Sequence, residues 1–150
     1  MESAKKTESE ALLEPLAVYA GHLEYFGYQT ENFGESPGFM AQTEGYGRIF
    51  VRPLGRGIVH SNYWNIAEHA SDQDVELLSI VNELNRSSYV STYSVLEDGS
   101  LRIDAIYYGE YARQLYGEFM ESYHRDILNA LRGSERLRQY REREELTLVN

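Results

Sequence analysis

The chain has 150 residues and a formal net charge of −10; 42% of residues are hydrophobic, 25% are charged, and there is no cysteine. Length and composition suit one folded domain with a core of its own. The acidic balance argues against nonspecific binding to nucleic acid or anionic lipid, and the missing cysteine excludes disulfides, thiolate metal sites and thiol nucleophiles.

Residues 1–10 are polar and are expected to form a flexible N-terminus. The stretch from Met1 to Thr7 lacks the apolar core of a signal peptide, and no apolar run approaches the ~20 residues of a membrane span, so a cytoplasmic protein is expected. A first helix is predicted from about Leu12 to Phe26, because Leu12, Leu16, Tyr19, Leu23 and Phe26 recur at three- and four-residue steps. Pro15 fits only its first turn, and Gly27 can take the left-handed geometry that ends it.

From Tyr28 to Ala67 the pattern changes to strand and turn. Three strands are predicted, roughly 39–45, 48–53 and 57–66, separated by Gly45-Tyr46-Gly47 and Pro53-Leu54-Gly55-Arg56-Gly57. Turns this short make the strands antiparallel neighbours. A second helix is expected to start at Ser71-Asp72-Gln73-Asp74 with Ser71 as its cap and two acids in its first turn. Val75, Leu78, Val81 and Leu84 or Leu77 would be its buried face, and Asn85 its terminator.

A hairpin follows, with Asp98-Gly99 at its tip. A two-residue loop there pairs Leu96 with Leu101, Ser94 with Ile103, Thr92 with Ala105 and Val90 with Tyr107 on an aliphatic face. The other face then carries Tyr89, Tyr93, Arg102, Asp104, Ile106 and Tyr108. Thirteen tyrosines are many for this length, and a Tyr-rich face with two charges has the mixture expected where another protein docks. A last helix is predicted from Tyr111 to beyond Arg132 on Leu115, Phe119, Tyr123, Ile127 and Leu131, with Ala112, Tyr116 and Ala130 beside them. After Gly133, residues 134–150 are expected as a charged, solvated helical extension of the 11–133 domain.

Little in the chain carries catalytic chemistry. Gly34-Glu35-Ser36-Pro37-Gly38 has the letters of a nucleophile elbow, but Pro37 lacks the N–H an oxyanion hole needs and a strand follows where a helix is required. His22, His60, His69 and His124 share no metal-binding spacing. Asp72 and Asp74 suit capping better than a calcium loop. Asn85-Arg86-Ser87 is a glycosylation sequon by letter alone. Arg48, Arg52 and Arg56 read as edge charges that discourage sheet aggregation, with a small anion-binding edge as the alternative. No catalytic residue, metal site or cofactor is expected.

The order helix, three strands, helix, two strands, helix, together with "VNELNRSSYVSTYSVLEDGSLRIDAIYY", resembles the YbjN-like proteins, which share the type III secretion chaperone-like fold. Val81-Asn82 and Asn85 at the end of the middle helix, then Asp98-Gly99 between two strands, carry the resemblance. It covers roughly 75–131; the first half agrees in element order more than in residues. It implies a single α+β domain, an antiparallel sheet packed with helices, commonly a homodimer without enzymatic activity. Asn82, Asn85, Asp98 and Gly99 transfer as structural positions. The Arg/Glu-rich tail after Gly133 departs from the pattern.

The function expected is thus a non-enzymatic, chaperone-like protein-binding module, a candidate regulator in bacterial sensory or stress signalling. It would act as a homodimer with a protein partner, without nucleic acid or membrane. The alternative is a small-molecule sensor or small enzyme with a pocket between sheet and helices, lined by tyrosines, His60 or Trp64. Nucleic-acid binding through the Arg-rich tail is a third possibility.

Overall fold

A computed structural model describes the backbone from Glu8 to Val149 and the side chains from Leu16 to Glu144; the rest of the expected flexible N-terminus lies outside the described residues. The elements are α1 (Glu8–Tyr25), β1 (Gln29–Asn32), β2 (Phe39–Thr43), β3 (Gly47–Leu54), β4 (Gly57–Trp64), α2 (Val75–Ser87), β5 (Ser91–Val95), β6 (Leu101–Tyr108), α3 (Arg113–Leu128) and α4 (Glu135–Val149). A π-helical turn, Asn129–Gly133, joins the last two helices. The strands form one antiparallel sheet in the order β1-β2-β3-β4-β6-β5. This is the expected α+β architecture with one edge strand more: Gln29-Thr30-Glu31-Asn32 is polar throughout, so β1 offers no alternation to read.

Helix α1 buries Leu16, Tyr19 and Leu23 as its spacing requires. It starts earlier than expected, so Pro15 falls inside it and not in its first turn. Its end is a Schellman motif: Tyr28 N–H donates to Leu23 O and Gly27 N–H to Glu24 O, both at 3.0 Å, with Gly27 at φ 96°. Phe26 therefore lies past the helix and is exposed, where the periodicity placed it in the core.

The cap of α2 is Asp74 and not Ser71: Asp74 Oδ1 accepts from Leu77 N–H at 3.2 Å, while Ser71 Oγ accepts from Gln73 N–H one turn upstream. The buried stripe is Leu77, Ile80, Val81 and Leu84; Val75 and Leu78 point to solvent. In α3, Tyr123 and Ile127 are buried as expected, but the first turns are rotated by one residue, so Tyr116 and Met120 are buried and Leu115 is exposed. The charged tail is helical, but it is more than a solvated extension. Leu137 and Tyr140 are buried against the core, Tyr140 O–H donates to Asp74 Oδ2 at 2.6 Å, and Arg136 and Arg143 pair with Glu83 and Glu76 of α2.

Helices α1 and α3 cover one face of the sheet. Leu101, Ile103, Ala105 and Tyr107 of β6 point into this side, with Ile49 and Val51 of β3 and Phe39 and Ala41 of β2. The opposite face carries no helix among the described residues.

Candidate functional site

The hairpin was expected to pair about a two-residue loop. The observed register, Ser91 with Ala105, Tyr93 with Ile103 and Val95 with Leu101, is one residue away from that. Gly99 N–H donates to Leu96 O and Leu96 N–H to Ser100 O, both at 2.9 Å, with Gly99 at φ 83°. The loop therefore holds three residues and ends on a left-handed glycine. The slip leaves β6 facing as expected and turns β5 over. Tyr93 consequently lies in the core, not on the partner surface, and its O–H donates to Asp126 O at 2.6 Å. Tyr89 precedes β5; it is exposed on the α3 side, with the Arg125 guanidinium 5.7 Å from its ring centre. Of the six residues placed together on one face, four stay together: Arg102, Asp104, Ile106 and Tyr108.

Two side chains fix β5. Asn85 does not terminate α2; its Nδ2 donates to Tyr93 O at 3.0 Å and its Oδ1 accepts from Tyr93 N–H at 2.8 Å, a backbone-like pair made by one amide. The Asp126 carboxylate, 1% exposed, accepts from the N–H groups of Tyr89, Val90 and Ser91 at 2.8, 2.9 and 2.9 Å. Sequence reading missed Asp126, since an acid in an amphipathic helix gives no sign of burial. Asn82 is exposed.

On the open face, Arg48, Phe50 and Arg52 of β3 stand beside Val59 and Tyr63 of β4, which adjoin Ile106 and Arg102 of β6. Because β3 is an interior strand, Arg48 and Arg52 are face residues, not edge charges. Phe33 stacks on Phe50 and Phe50 meets Tyr63 edge-on, each pair 5.8 Å between ring centres. Tyr63 and Tyr108 are exposed, and Arg102 Nε lies 2.9 Å from Asp104 Oδ2. A Cβ on Gly57 would come within 2.7 Å of Ile106 Cγ2, so glycine lets the isoleucine lie across β4. The result is a mixed aromatic, aliphatic and charged surface around Phe50, Tyr63, Ile106 and Tyr108.

On the helix side, a cavity of 350 Å³ opens between α1, α3 and the β2–β3 turn, lined by His22, Tyr28, Tyr46, Met120, Glu121 and His124 among others. The turn holds Tyr46 in place: Asn62, fully buried, donates to Tyr46 O at 3.1 Å and Arg48 O at 2.7 Å, and accepts from Trp64 Nε1–H. Trp64 lies over Gly47, whose φ is 68°. Neither His60 nor Trp64 lines this cavity. His60 is buried outright, with Nδ1 3.2 Å from Ile58 O and Nε2 2.7 Å from Tyr116 O–H. The carbonyl can only accept, so Nδ1 donates and Nε2 receives the phenol proton. Burial holds its pKa down at about 4, against the opposing pull of main-chain bonds to Ala105 and Ile58.

The Gly34–Gly38 segment is the β1–β2 connection, strand-turn-strand, which is not the context of an elbow. A Cβ on Gly38, at φ 130°, would come 2.5 Å from Val51 O. No cluster of three or more His, Asp or Glu among the described residues could hold a metal ion, and no described helix is long and apolar enough to cross a membrane.

A six-stranded antiparallel sheet with helices on one face, and a middle helix clamped to a terminal hairpin, defines a YbjN-like α+β fold. The chain matches the crystal structure of YbjN, "a putative transcription regulator from E. coli", with a TM-score of 0.59 over 79% of this chain and 92% of that one, at 14% identity. The likeness is one of fold. No protein-family model and no curated protein matches the sequence.

Proposed function

We propose that the protein is a non-enzymatic binding module of chaperone-like or regulatory type. It works as a homodimer, and the open sheet face is where it meets another protein chain. One observation carries this reading: a six-stranded sheet buried by helices on one side only leaves Phe50, Tyr63, Ile106 and Tyr108 spread along the other, with Tyr63 and Tyr108 toward its two ends. Aromatic and arginine side chains of this kind are enriched at protein interfaces. A second copy is the proposed occupant. The patch carries Arg48, Arg52 and the Arg102–Asp104 pair around its aromatic residues, and a two-fold contact would set this same patch on both copies. The regulatory half of the reading leans on the description of YbjN.

Sedimentation of a Tyr63→Glu, Tyr108→Glu double variant tests it. The wild type is expected at dimer mass and the variant at monomer mass, with the same far-ultraviolet circular dichroism. A variant that sediments like the wild type sinks the surface assignment.

A further inference from the structure

The cavity between α1, α3 and the β2–β3 turn takes no part in the open face, and the charge around it is one-sided. Among the described residues that line it, Glu121 is the one formal charge; neither a lysine nor an arginine is among them. Arg113 lies over the Tyr25 ring, 5.3 Å from its centre. Arg125 approaches Glu121 only to 3.7 Å, in a pair whose two side chains are mostly exposed, so water screens it and leaves the carboxylate free to act on a guest. With a formal net charge of −10, the molecule as a whole also draws cations toward it.

The walls are rings without charge. Phe26, 60% exposed, forms a tilted pair with His22 on the α1 side, with ring centres 5.0 Å apart. On the other side Tyr46 and Tyr28 lie near parallel to His124, at 22° and 15°. Tyr46 and His124 are in contact, 4.0 Å between centres, so a guest lies against this stack and not within it. Both imidazoles are uncharged at neutral pH: burial, then the Arg113 charge, lowers the pKa of His22, and burial brings that of His124 down to about 4. Whichever way their hydrogen bonds with Tyr111 and Tyr28 run, they add no positive charge to the space. Leu23 and Met120 complete the lining, and at 350 Å³ the cavity falls within the size of small-molecule sites.

We infer that this cavity binds a small organic ammonium ion bearing methyl groups, held against the rings of Phe26, Tyr28 and Tyr46 with Glu121 at the rim. The π face of a benzene or phenol ring is negative and attracts a cation within about 6 Å of its centre. Methyl groups spread the charge over a surface that sheds water readily, which suits apolar walls better than a bare, strongly hydrated ammonium does. An anion would meet a carboxylate and ring faces of its own sign, with no cation in the lining to offset them. A neutral molecule of the same shape would gain the burial and none of the charge terms.

Three probes of one shape test this on the full chain: choline, the uncharged alcohol with a tert-butyl group in place of its trimethylammonium, and the anion of tert-butylacetic acid. Each is titrated while the ring signals of His22 and His124 are followed by NMR. Choline is expected to move these signals, the alcohol to bind about tenfold more weakly, and the anion to leave them in place. Phe26→Ala removes an exposed ring and Glu121→Gln an exposed charge, so both variants should fold as the wild type does. The first should weaken choline binding about fivefold and the second about threefold. The inference is overturned if choline moves neither histidine signal, if the alcohol or the anion moves them as much as choline does, or if both variants bind choline as the wild type does.

Discussion

Asp126 is the residue on which the hairpin depends most directly. Its carboxylate accepts three main-chain N–H groups in a site closed to water. Asp126→Ala is expected to cost about 3 kcal/mol or more, since three buried donors lose their acceptor; urea denaturation measures it directly. Asn85 makes a subtler demand, needing a donor and an acceptor on one planar group. Asn85→Asp keeps the shape but sets a carboxylate oxygen against Tyr93 O, and should lower stability by about 2 kcal/mol. His60 and His124 give the pH dependence. Their folded pKa of about 4 lies below the 6.5 of a free imidazole, so below pH 6.5 the unfolded chain binds protons that the folded protein refuses. Stability should be flat above that pH and fall as it drops from 6.5 toward 4, with His60 alone accounting for on the order of 3 kcal/mol. Denaturation midpoints measured from pH 7.5 to 4.5 would show it, and the His60 ring signal should not titrate above pH 5.5.

At the scale of elements, the hairpin shows what a sequence can and cannot say. Asp98-Gly99 marks the turn, and β6 alternates correctly on its own residues. Whether the loop has two residues or three depends on Gly99 at φ 83° beside Asp98 Oδ1, which accepts Ser100 N–H at 2.9 Å, and no apolar pattern reports that. The one-residue difference was enough to send Tyr93 inward. Tyrosines mislead for a related reason. Tyr93, Tyr116 and Tyr123 are buried because main-chain oxygens or His60 satisfy their hydroxyls, partners 20 or more residues away along the chain. The cavity is illegible for the same cause, since His22 and His124 come to line one space only through the fold. Gly99→Ala is expected to unfold the hairpin tip, because a Cβ there would overlap Ala70 O. Tyr140→Phe should cost about 1 kcal/mol through the lost bond to Asp74, loosening α4 from α2; hydrogen exchange along α4 is the readout.

Across the whole molecule, the helices bury one face of the sheet and leave the other uncovered among the described residues, while the cavity sits on the buried side. The open surface and the cavity are thus separated by the sheet itself, and substitutions at Tyr63 and Tyr108 should leave the His22 and His124 signals where they are. The anchoring of β5 has a consequence for assembly. Tyr93 N–H and C=O, and Ser91 N–H, are already taken by Asn85 and Asp126, so that rim of the sheet offers little to a strand arriving from outside. Among the rims, only β1 is left to a newcomer. Two molecules joined rim to rim along β1 would end in two β5 rims whose central main-chain groups are already taken, so the sheet would not readily extend past that pair. A sheet with this asymmetry is open to an added strand at β1 and blunted against one at β5.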